Sequence, residues 1–195
     1  VKPIINLKED DLPVSTYLPY DDGQYMAGTS RYEKRGIALF VPEWNIDNCI
    51  QCNQCSYICP HATIRPFLLD EEQKKKAPEG FETKKAIGKG FEGYEFRIQV
   101  SPYDCMGCGN CVDVCPAPKK ALAMKPIDEQ IEKQADNWEF AHGEVGYRND
   151  EIAPTNVKNS QFSQPLLEFS GACAGCGETP YAKLITQLYG DHQII

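Results

Sequence analysis

Eight of the ten cysteines stand in two copies of one pattern, C-x2-C-x2-C-x3-C-P. The first copy runs from Cys49 to Pro60 and the second from Cys105 to Pro116. This spacing is typical of proteins that bind [4Fe–4S] clusters through cysteine thiolates, and two copies predict two clusters. Gaps of two residues allow successive sulfur atoms to face one iron–sulfur cube from a tight loop. The residues therefore predict electron transfer as the chemistry of this chain.

The fourth cysteine of each copy is predicted to bind the cluster of the other copy, because it cannot fold back to its own cube. The predicted ligands of the first cluster are Cys49, Cys52, Cys55 and Cys115. Those of the second cluster are Cys105, Cys108, Cys111 and Cys59. Zinc is the alternative, since paired C-x2-C motifs also form zinc sites. A zinc site leaves the last two cysteines of each copy without a role, so iron–sulfur clusters are favoured.

Cys173 and Cys176 form a third, weaker pattern. Taken alone, Cys-Ala-Gly-Cys fits a redox dithiol, half of a zinc site or two ligands of another cluster. Because two clusters are already predicted, two ligands of a third cluster is the favoured interpretation. A [4Fe–4S] cluster needs four ligands, so either the other two lie outside this chain or no third cluster forms here.

The composition describes an acidic globular protein. Hydrophobic residues make up 42% of the chain and charged residues 25%, and the formal net charge is −8. A nucleic-acid partner is not expected, because phosphate binding needs a basic face. Neither a secretory signal nor an apolar stretch of roughly 20 residues is visible, so no membrane partner is expected. Ten cysteines without an export signal indicate the cytoplasm, where thiols stay reduced.

The elements that must position the cysteines divide the chain into four parts. Residues 1–40, interrupted by prolines, are expected to form a strap or linker, and residues 41–125 a two-cluster, ferredoxin-like domain. Residues 126–165 are expected to form a helix and a linker, and residues 166–195 the incomplete start of another domain. The predicted fold class is α+β, with an insert at roughly 66–95 inside the ferredoxin-like domain and an extended N-terminal segment.

Hydrophobic periodicity and helix-start residues predict the local elements. The longest is a helix from Pro126 to about Phe140, with an apolar side formed by Ile127, Ile131, Ala135 and Trp138. The other predicted elements are a strand over 35–42, a surface helix over 69–76, a strand within 91–100, a strand over 166–169 and a helix with apolar residues Tyr181, Leu184, Ile185 and Leu188.

Two further features invite a functional interpretation. His61 follows Cys59 and Pro60 directly, so it is expected to pack or hydrogen-bond beside a cluster. Six lysines also cluster in the sequence: Lys74, Lys75, Lys76, Lys84, Lys85 and Lys89. Such a run is usually a solvated face, and the alternative is a docking patch that steers an acidic electron carrier.

Four segments, in their order along the chain, resemble single-chain pyruvate:ferredoxin (flavodoxin) oxidoreductases. They are Tyr32-Glu-Lys-Arg-Gly-Ile-Ala38, the two cysteine runs, and the stretch from Glu168 to Tyr181 with Gly-Ala-Cys-Ala-Gly-Cys-Gly-Glu at its centre. The resemblance implies an enzyme that cleaves pyruvate on thiamine diphosphate and forms acetyl-CoA and CO₂. It also implies that electrons pass along three [4Fe–4S] clusters to ferredoxin or flavodoxin, and that the parent enzyme is a homodimer.

By this resemblance, Cys173 and Cys176 are two ligands of the cluster nearest the thiamine, and Glu178 contacts the thiamine. Residues 166–195 then begin the thiamine diphosphate domain. The resemblance also implies that the Gly-Asp-Gly motif for Mg²⁺ and the pyruvate-binding domains lie outside this chain. We therefore expect an internal fragment that holds two clusters and is catalytically inactive alone, with CoA, thiamine diphosphate and Mg²⁺ bound only by the full-length enzyme. The alternatives are a free-standing two-cluster electron carrier and, less favoured, a zinc-binding interaction module.

Overall fold

The structure is a computed structural model that describes residues 1–24, 26 and 28–194. Its fold is α+β, with short helices and two small sheets. The strands are β1 (Phe40–Trp44), β2 (Ile64–Leu69), β3 (Lys84–Lys85), β4 (Glu95–Val100) and β5 (Leu122–Pro126). The α-helices are α1 (Lys2–Ile5), α2 (Gln54–Ile58), α3 (Glu71–Lys75), α4 (Asn110–Asp113), α5 (Ile127–Phe140), α6 (Val157–Ser160) and α7 (Thr179–Tyr189). Within the described residues, none of these helices has the length and apolar character needed to span a bilayer.

Two antiparallel ladders connect the halves of the cysteine repeat. β1 precedes the first cysteine run and pairs with β5, which follows the second run, with Phe40 opposite Pro126. β2 follows the first run and pairs with β4, which precedes the second run, with Ile64 opposite Val100. β3 pairs with the other edge of β4. Each ladder therefore joins the end of one half to the beginning of the other.

Strand β2 lies between two apolar cores, and all six of its residues are buried. Ile64 belongs to the core that contains Phe96, whereas Phe67 belongs to the core that contains Trp138. Neighbouring side chains of a strand point to opposite faces, so one short strand can serve both cores. Packing on both faces of β2 therefore holds the backbone that follows Cys59 in place.

Helix α5 has the predicted bounds, but its buried side is more polar than predicted. Trp138 is buried as expected, and the rest of the buried side consists of Gln130, Gln134 and Asn137. The Gln134 side-chain amide donates to the Pro42 carbonyl at 3.1 Å and to the Gln130 side chain at 2.8 Å. These hydrogen bonds explain how amides occupy a face that apolar periodicity assigns to larger hydrophobic residues.

The other predicted elements agree in type except one. The helix predicted over 69–76 is α3, which begins with a capping box between Asp70 and Gln73, and the strand predicted within 91–100 is β4. The strand predicted over 35–42 begins only at Phe40. The strand predicted over 166–169 is wrong, because this segment is irregular and Phe169 has a φ of 47°.

Residues 142–165, predicted to be a linker, contain little regular structure apart from a π turn at Ala141–Val145 and α6. Nevertheless they pack against the ferredoxin-like unit. The Phe162 ring is 2% exposed, and its centroid lies 5.3 Å from that of Phe91 and 6.4 Å from that of Phe96. This segment therefore supplies contacts to the core that a free connection would lack.

Replacement of Phe162 by alanine should therefore destabilise the cluster-loaded chain by about 3–5 kcal/mol, because a large buried ring is removed. Val157→Ala is the matched control, since Val157 lies in the same segment and is 46% exposed. The midpoint of urea unfolding, followed by circular dichroism under anaerobic conditions, measures the difference. Equal midpoints for the two variants would mean that residues 142–165 do not fold with the core.

Candidate iron–sulfur site

The β2–β4 ladder carries Cys59 to the second cysteine run. Beyond the ladder, the backbone N–H of Ser101 donates to the Thr63 carbonyl at 2.8 Å, and that of Cys105 donates to the Ser101 carbonyl at 3.1 Å. One cavity is lined by all four predicted ligands of the second cluster, which are Cys59, Cys105, Cys108 and Cys111. The structure thus gathers three cysteines of the second run with the last cysteine of the first run.

The β1–β5 ladder has the same effect on Cys115. Its pairing is continued towards the first run by the backbone N–H of Asn45, which donates to the Ala121 carbonyl at 2.8 Å. Burial raises the pKa of the Cys55 thiol, and the nearby thiolates add to this rise. The thiolates in question are those of Cys49, Cys52 and Cys115, the other predicted ligands of the first cluster.

Burial and neighbouring thiolates also raise the pKa of two thiols of the second group, Cys105 and Cys111. Burial raises the pKa of Cys105 to about 12, and the Cys59 thiolate contributes to the rise. Burial also raises the pKa of Cys111, again with the Cys59 charge as a contributor. Buried thiolates that repel one another need a compensating positive charge, which the iron atoms of a cluster supply. The donor set therefore fits a [4Fe–4S] cluster.

None of the ten cysteines forms a disulfide bond. In the described ranges, no group of three or more His, Cys, Asp or Glu side chains could hold a single metal ion. An iron–sulfur cube is larger than one ion, and its four thiolates stand around it at separate corners.

Left-handed backbone conformations shape both cysteine loops at equivalent positions. In the first loop, Gln51 and Asn53 have φ values of 59° and 60°, and in the second, Gly107 and Gly109 have φ values of 69° and 81°. Gly107 has no space for a side chain, since a Cβ there would lie 3.0 Å from the carbonyl oxygen of Phe40. Glycine meets this demand without strain.

Hydrogen bonds from buried side chains hold the two left-handed residues of the first loop. The Gln51 amide donates to the Lys85 carbonyl at 2.8 Å and accepts from the Ile87 N–H at 2.9 Å. The Asn53 amide donates to the Lys158 carbonyl at 2.9 Å. These bonds tie the first loop to the segment that contains β3 and to α6, and they offset the cost of a positive φ.

Lys183 is a fully buried cation beside the second site. Its Nζ donates to the carbonyls of Ser56, Tyr57 and Cys59, the last at 2.7 Å. Burial lowers the pKa of Lys183 to about 7, although the Cys59 thiolate acts in the opposite direction. Burial alone raises the pKa of Cys59, but the Lys183 charge and hydrogen bonds involving Thr63 outweigh it and lower that pKa.

The six clustered lysines do not form a uniform solvated face. Lys84 turns towards the first cysteine loop, where its Nζ donates to the carbonyls of Ile46 at 2.7 Å and Cys49 at 3.1 Å. Lys74 forms an ion pair with Glu95 at 3.0 Å. The remaining four, which are exposed, are Lys75, Lys76, Lys85 and Lys89.

The loop from Cys173 to Cys176 lies against the second cysteine loop. A Cβ built on Gly175 would lie 3.4 Å from the Cβ of Cys108 and 3.5 Å from the side-chain nitrogen of Asn110. Cys173 is exposed and Cys176 is half-buried. The third cysteine pattern is therefore next to the second predicted cluster.

His61 lies beside the second group of cysteines and close to the segment that precedes Cys173. It lines the cavity together with Cys59, and its Nδ1 lies 3.2 Å from the Ser170 carbonyl. Burial lowers the pKa of His61 and favours the neutral ring. In the neutral ring, Nδ1–H then donates to Ser170. The backbone N–H of Phe169 in turn donates to the His61 carbonyl at 2.9 Å.

Glu178 is exposed at the start of α7. It lies two residues beyond Cys176, whose pKa is lowered by the neighbouring Thr179 hydroxyl and by the backbone N–H groups of Thr179 and Glu178. These contacts favour the thiolate form of Cys176 more than that of an ordinary cysteine. The structure brings Cys173 and Cys176 close to the second group of cysteines, and it leaves Glu178 facing solvent.

The N-terminal segment is attached to the second cysteine loop through Lys34. Its Nζ lies 2.9 Å from Asp104, which precedes Cys105, and 3.2 Å from Glu139 of α5. The backbone N–H of Gly36 donates to the Tyr103 carbonyl at 2.7 Å. No role was predicted for Lys34 or for Lys183, because a lone lysine in a polar stretch is ordinarily solvated.

Two families match parts of the chain. Residues 48–119 match the family described as a 4Fe-4S dicluster domain, and this range contains both cysteine runs. Residues 1–38 match a domain of unknown function called EKR, which ends just after Glu33, Lys34 and Arg35.

Relatives with similar sequences match nearly the whole chain. A pyruvate:ferredoxin oxidoreductase of Moorella thermoacetica is 58% identical over all 195 residues. A pyruvate-flavodoxin oxidoreductase of Enterobacter agglomerans is 54% identical over 99% of the chain, and a pyruvate dehydrogenase [NADP(+)] of Euglena gracilis is 51% identical over 100%. The chain spans only 16% of the length of each of the first two proteins and 10% of the third. The chain is therefore similar over nearly its whole length to one segment of pyruvate:ferredoxin (flavodoxin) oxidoreductases, and it contains a 4Fe-4S dicluster domain.

Proposed function

We propose that this chain is the electron-relay segment of an enzyme that oxidises pyruvate to acetyl-CoA and CO₂ and reduces ferredoxin or flavodoxin. The observation that carries the proposal is the single cavity shared by Cys59, Cys105, Cys108 and Cys111. A second support is the similarity to pyruvate oxidoreductases over all 195 residues, which a free-standing two-cluster carrier would not need.

We propose that the chain binds two [4Fe–4S] clusters, each of which would carry one electron at a time. The proposed ligands of the first are Cys49, Cys52, Cys55 and Cys115. The proposed ligands of the second are Cys105, Cys108, Cys111 and Cys59. Backbone N–H groups support the thiolate form of these ligands: Gly107 donates to the Cys105 sulfur and Ala121 to the Cys115 sulfur, both at 3.4 Å. Hydrogen bonds to cluster sulfur atoms are one means by which a protein sets the reduction potential.

The two cysteine loops differ in what surrounds them, which suggests an inner and an outer position. The loop of Cys108 is in contact with Gly175 of the third cysteine pattern. The loop of Cys49 instead accepts a hydrogen bond from Lys84. We infer that the second loop is the inner one, facing the source of electrons, and that the first loop is the outer one, facing the electron acceptor.

The exposed lysines near the outer loop are proposed as the docking surface for an acidic ferredoxin or flavodoxin. Lys85 is bonded through its carbonyl to Gln51 of the first cysteine loop, and its side chain is exposed. Lys75 lines the same surface depression as Lys85. Glu71 and Glu95 also line this depression, and Glu95 is paired with Lys74. The lysines still outnumber the glutamates there, and in a chain with a net charge of −8 such an area favours the approach of an acidic partner.

Cys173 and Cys176 are proposed as two ligands of a third [4Fe–4S] cluster, and Glu178 as a contact of thiamine diphosphate. The lowered pKa of Cys176 supports a ligand role. The rest of that site, with thiamine diphosphate, Mg²⁺ and CoA, is proposed for other parts of the enzyme, so the chain alone should not convert pyruvate. A homodimeric parent enzyme is proposed on the family resemblance.

The surface of α7 supports contact with further polypeptide of the parent enzyme. Four large apolar side chains of α7 are 36–65% exposed, whereas its polar residues face the interior. The exposed residues are Tyr181, Ile185, Leu188 and Tyr189. A soluble helix normally shows the opposite arrangement. We therefore propose that residues 166–195 begin the thiamine diphosphate domain and that the remainder of that domain covers these side chains.

Iron content tests the exchange of ligands between the two runs. The double variant Cys59→Ala/Cys105→Ala removes two ligands of the same proposed cluster, so about four of about eight irons should remain per chain. Cys59→Ala/Cys49→Ala removes one ligand from each cluster, so the iron content should fall well below four. Both are measured by anaerobic metal analysis and visible absorption. Cys173→Ala is the control and should keep about eight irons.

Equal iron contents in the two double variants would contradict the exchange, and zinc in place of iron in the unaltered chain would contradict the relay function itself.

Charge reversal tests the docking surface. Lys75→Glu/Lys85→Glu should slow electron transfer from the chemically reduced chain to oxidised ferredoxin or flavodoxin by about tenfold at low salt, because a steering attraction becomes a repulsion. Stopped-flow measurement at several ionic strengths gives the rate and its salt dependence. Lys2→Glu/Lys8→Glu makes the same change in net charge at exposed lysines of the N-terminal segment and should leave the rate nearly unaltered. If the rate has the same salt dependence in both variants and in the unaltered chain, the proposed docking surface is contradicted.

A further inference from the structure

Lys183, a residue of α7, binds the carbonyl groups at the C-terminal end of another helix, α2. Helix α2 ends at Ile58, and the last carbonyls of a helix have no partner within it. Lys183 of α7 donates to the carbonyls of Ser56, Tyr57 and Cys59 at this end. A cation at a helix C-terminus is favoured electrostatically, and here it also ties α7 to the backbone of a proposed cluster ligand.

Within the part of the chain that the structure describes, the charge of Lys183 has no carboxylate partner. None of the ion pairs formed by the described residues includes Lys183, and it is fully buried. A second buried cation, Arg65, donates to carbonyl and amide oxygens of Gln161 and to the Ser163 carbonyl. A buried charge is costly unless an opposite charge compensates it. The nearby groups that can carry negative charge are the thiols of Cys59 and Cys55.

We propose that Lys183 is a positioning residue whose ammonium group, once the negatively charged cluster is bound beside it, is the counter-charge of the second iron–sulfur site and raises the reduction potential of the cluster that Cys59 helps to hold. The inference rests on the ligand assignment in the proposed function. Reduction adds one electron, and therefore one negative charge, to a group that four thiolates already make negative. A cation held nearby stabilises the reduced form more than the oxidised form, and net charge is one of the factors that set cluster potentials.

The position of Lys183 connects this charge with the third cysteine pattern. Helix α7 begins at Thr179, directly after the loop of Cys173 and Cys176, and carries Lys183 in its interior. The hydrogen bonds of Lys183 therefore hold the loop against the second cysteine site while its charge acts on that site. One residue thus has two effects, placement and charge, and these can be separated by substitution.

The test uses Lys183→Gln in the full 195-residue chain, loaded with clusters under anaerobic conditions. Glutamine keeps side-chain N–H donors but removes the charge. At the potential where the cluster that Cys59 helps to hold is half reduced in the unaltered chain, we expect the ratio of reduced to oxidised cluster to fall by about tenfold, as followed by electron paramagnetic resonance. A tenfold change corresponds to about 59 mV for a one-electron couple. Lys8→Gln, which changes the net charge equally at an exposed residue, is the control and should stay within about twofold.

Unchanged potentials in a Lys183→Gln chain with its full iron content would overturn the proposal and leave the ligand assignment intact. An unaltered chain that binds no iron would instead contradict the proposed function. If Lys183→Gln does not load iron, Lys183→Met and Lys183→Arg decide. If the arginine variant loads iron and neither neutral variant does, the counter-charge is supported. If all three variants fail to load iron, the proposal is overturned, because only the shape of lysine is then tolerated.

Discussion

The exchange of strands between the two halves of the cysteine repeat is the constraint on which the rest of the structure depends. β2 starts a few residues after Cys59 and pairs with β4, so Cys59 must lie beside the second cysteine run. β5 follows Cys115 and pairs with β1, which has the same consequence for the first run. In the proposed assignment, neither half supplies all four ligands of one cluster by itself. Metal binding, strand pairing and burial of the apolar cores are therefore expected to form one cooperative unit.

This constraint also explains which features could be predicted from the sequence. The grouping of cysteines was predictable, because it follows from local spacing and from the repeat. Helix α5 and its bounds were predictable from Pro126 and from the acidic residues after it. The burial of Gln134 was not predictable in this way, because its partner is the Pro42 carbonyl, far away in the chain. Apolar periodicity predicts which side of a helix packs against other apolar side chains. It does not predict a side that is buried through hydrogen bonds between its amides and a polar surface.

Helix α7 shows the same limit more clearly. Its apolar spacing predicted the helix correctly, yet Tyr181 and Ile185 are exposed, and Lys183 and Gln187 are buried instead. The physical reason is the surface that α7 meets. That surface includes the carbonyl end of α2, the side chain of Gln161 and the carbonyls of Ser160 and Ser163, which form hydrogen bonds with buried side chains of α7. A buried lysine is favourable only where several carbonyls converge, and such convergence is a property of the folded chain.

The contacts between the third cysteine pattern and the ferredoxin-like unit are mostly polar or involve the backbone. Gly175 lies against Cys108, His61 is bonded to the Ser170 carbonyl, and Lys183 is bonded to the Cys59 carbonyl. Hydrogen bonds restrict distance and direction more strongly than apolar contacts do. Electron transfer depends on the distance between neighbouring centres, so a polar junction is suited to hold the proposed third site at a fixed separation from the second. The apolar side of α7 points away from this junction, which leaves it free to bind further polypeptide without disturbing that separation.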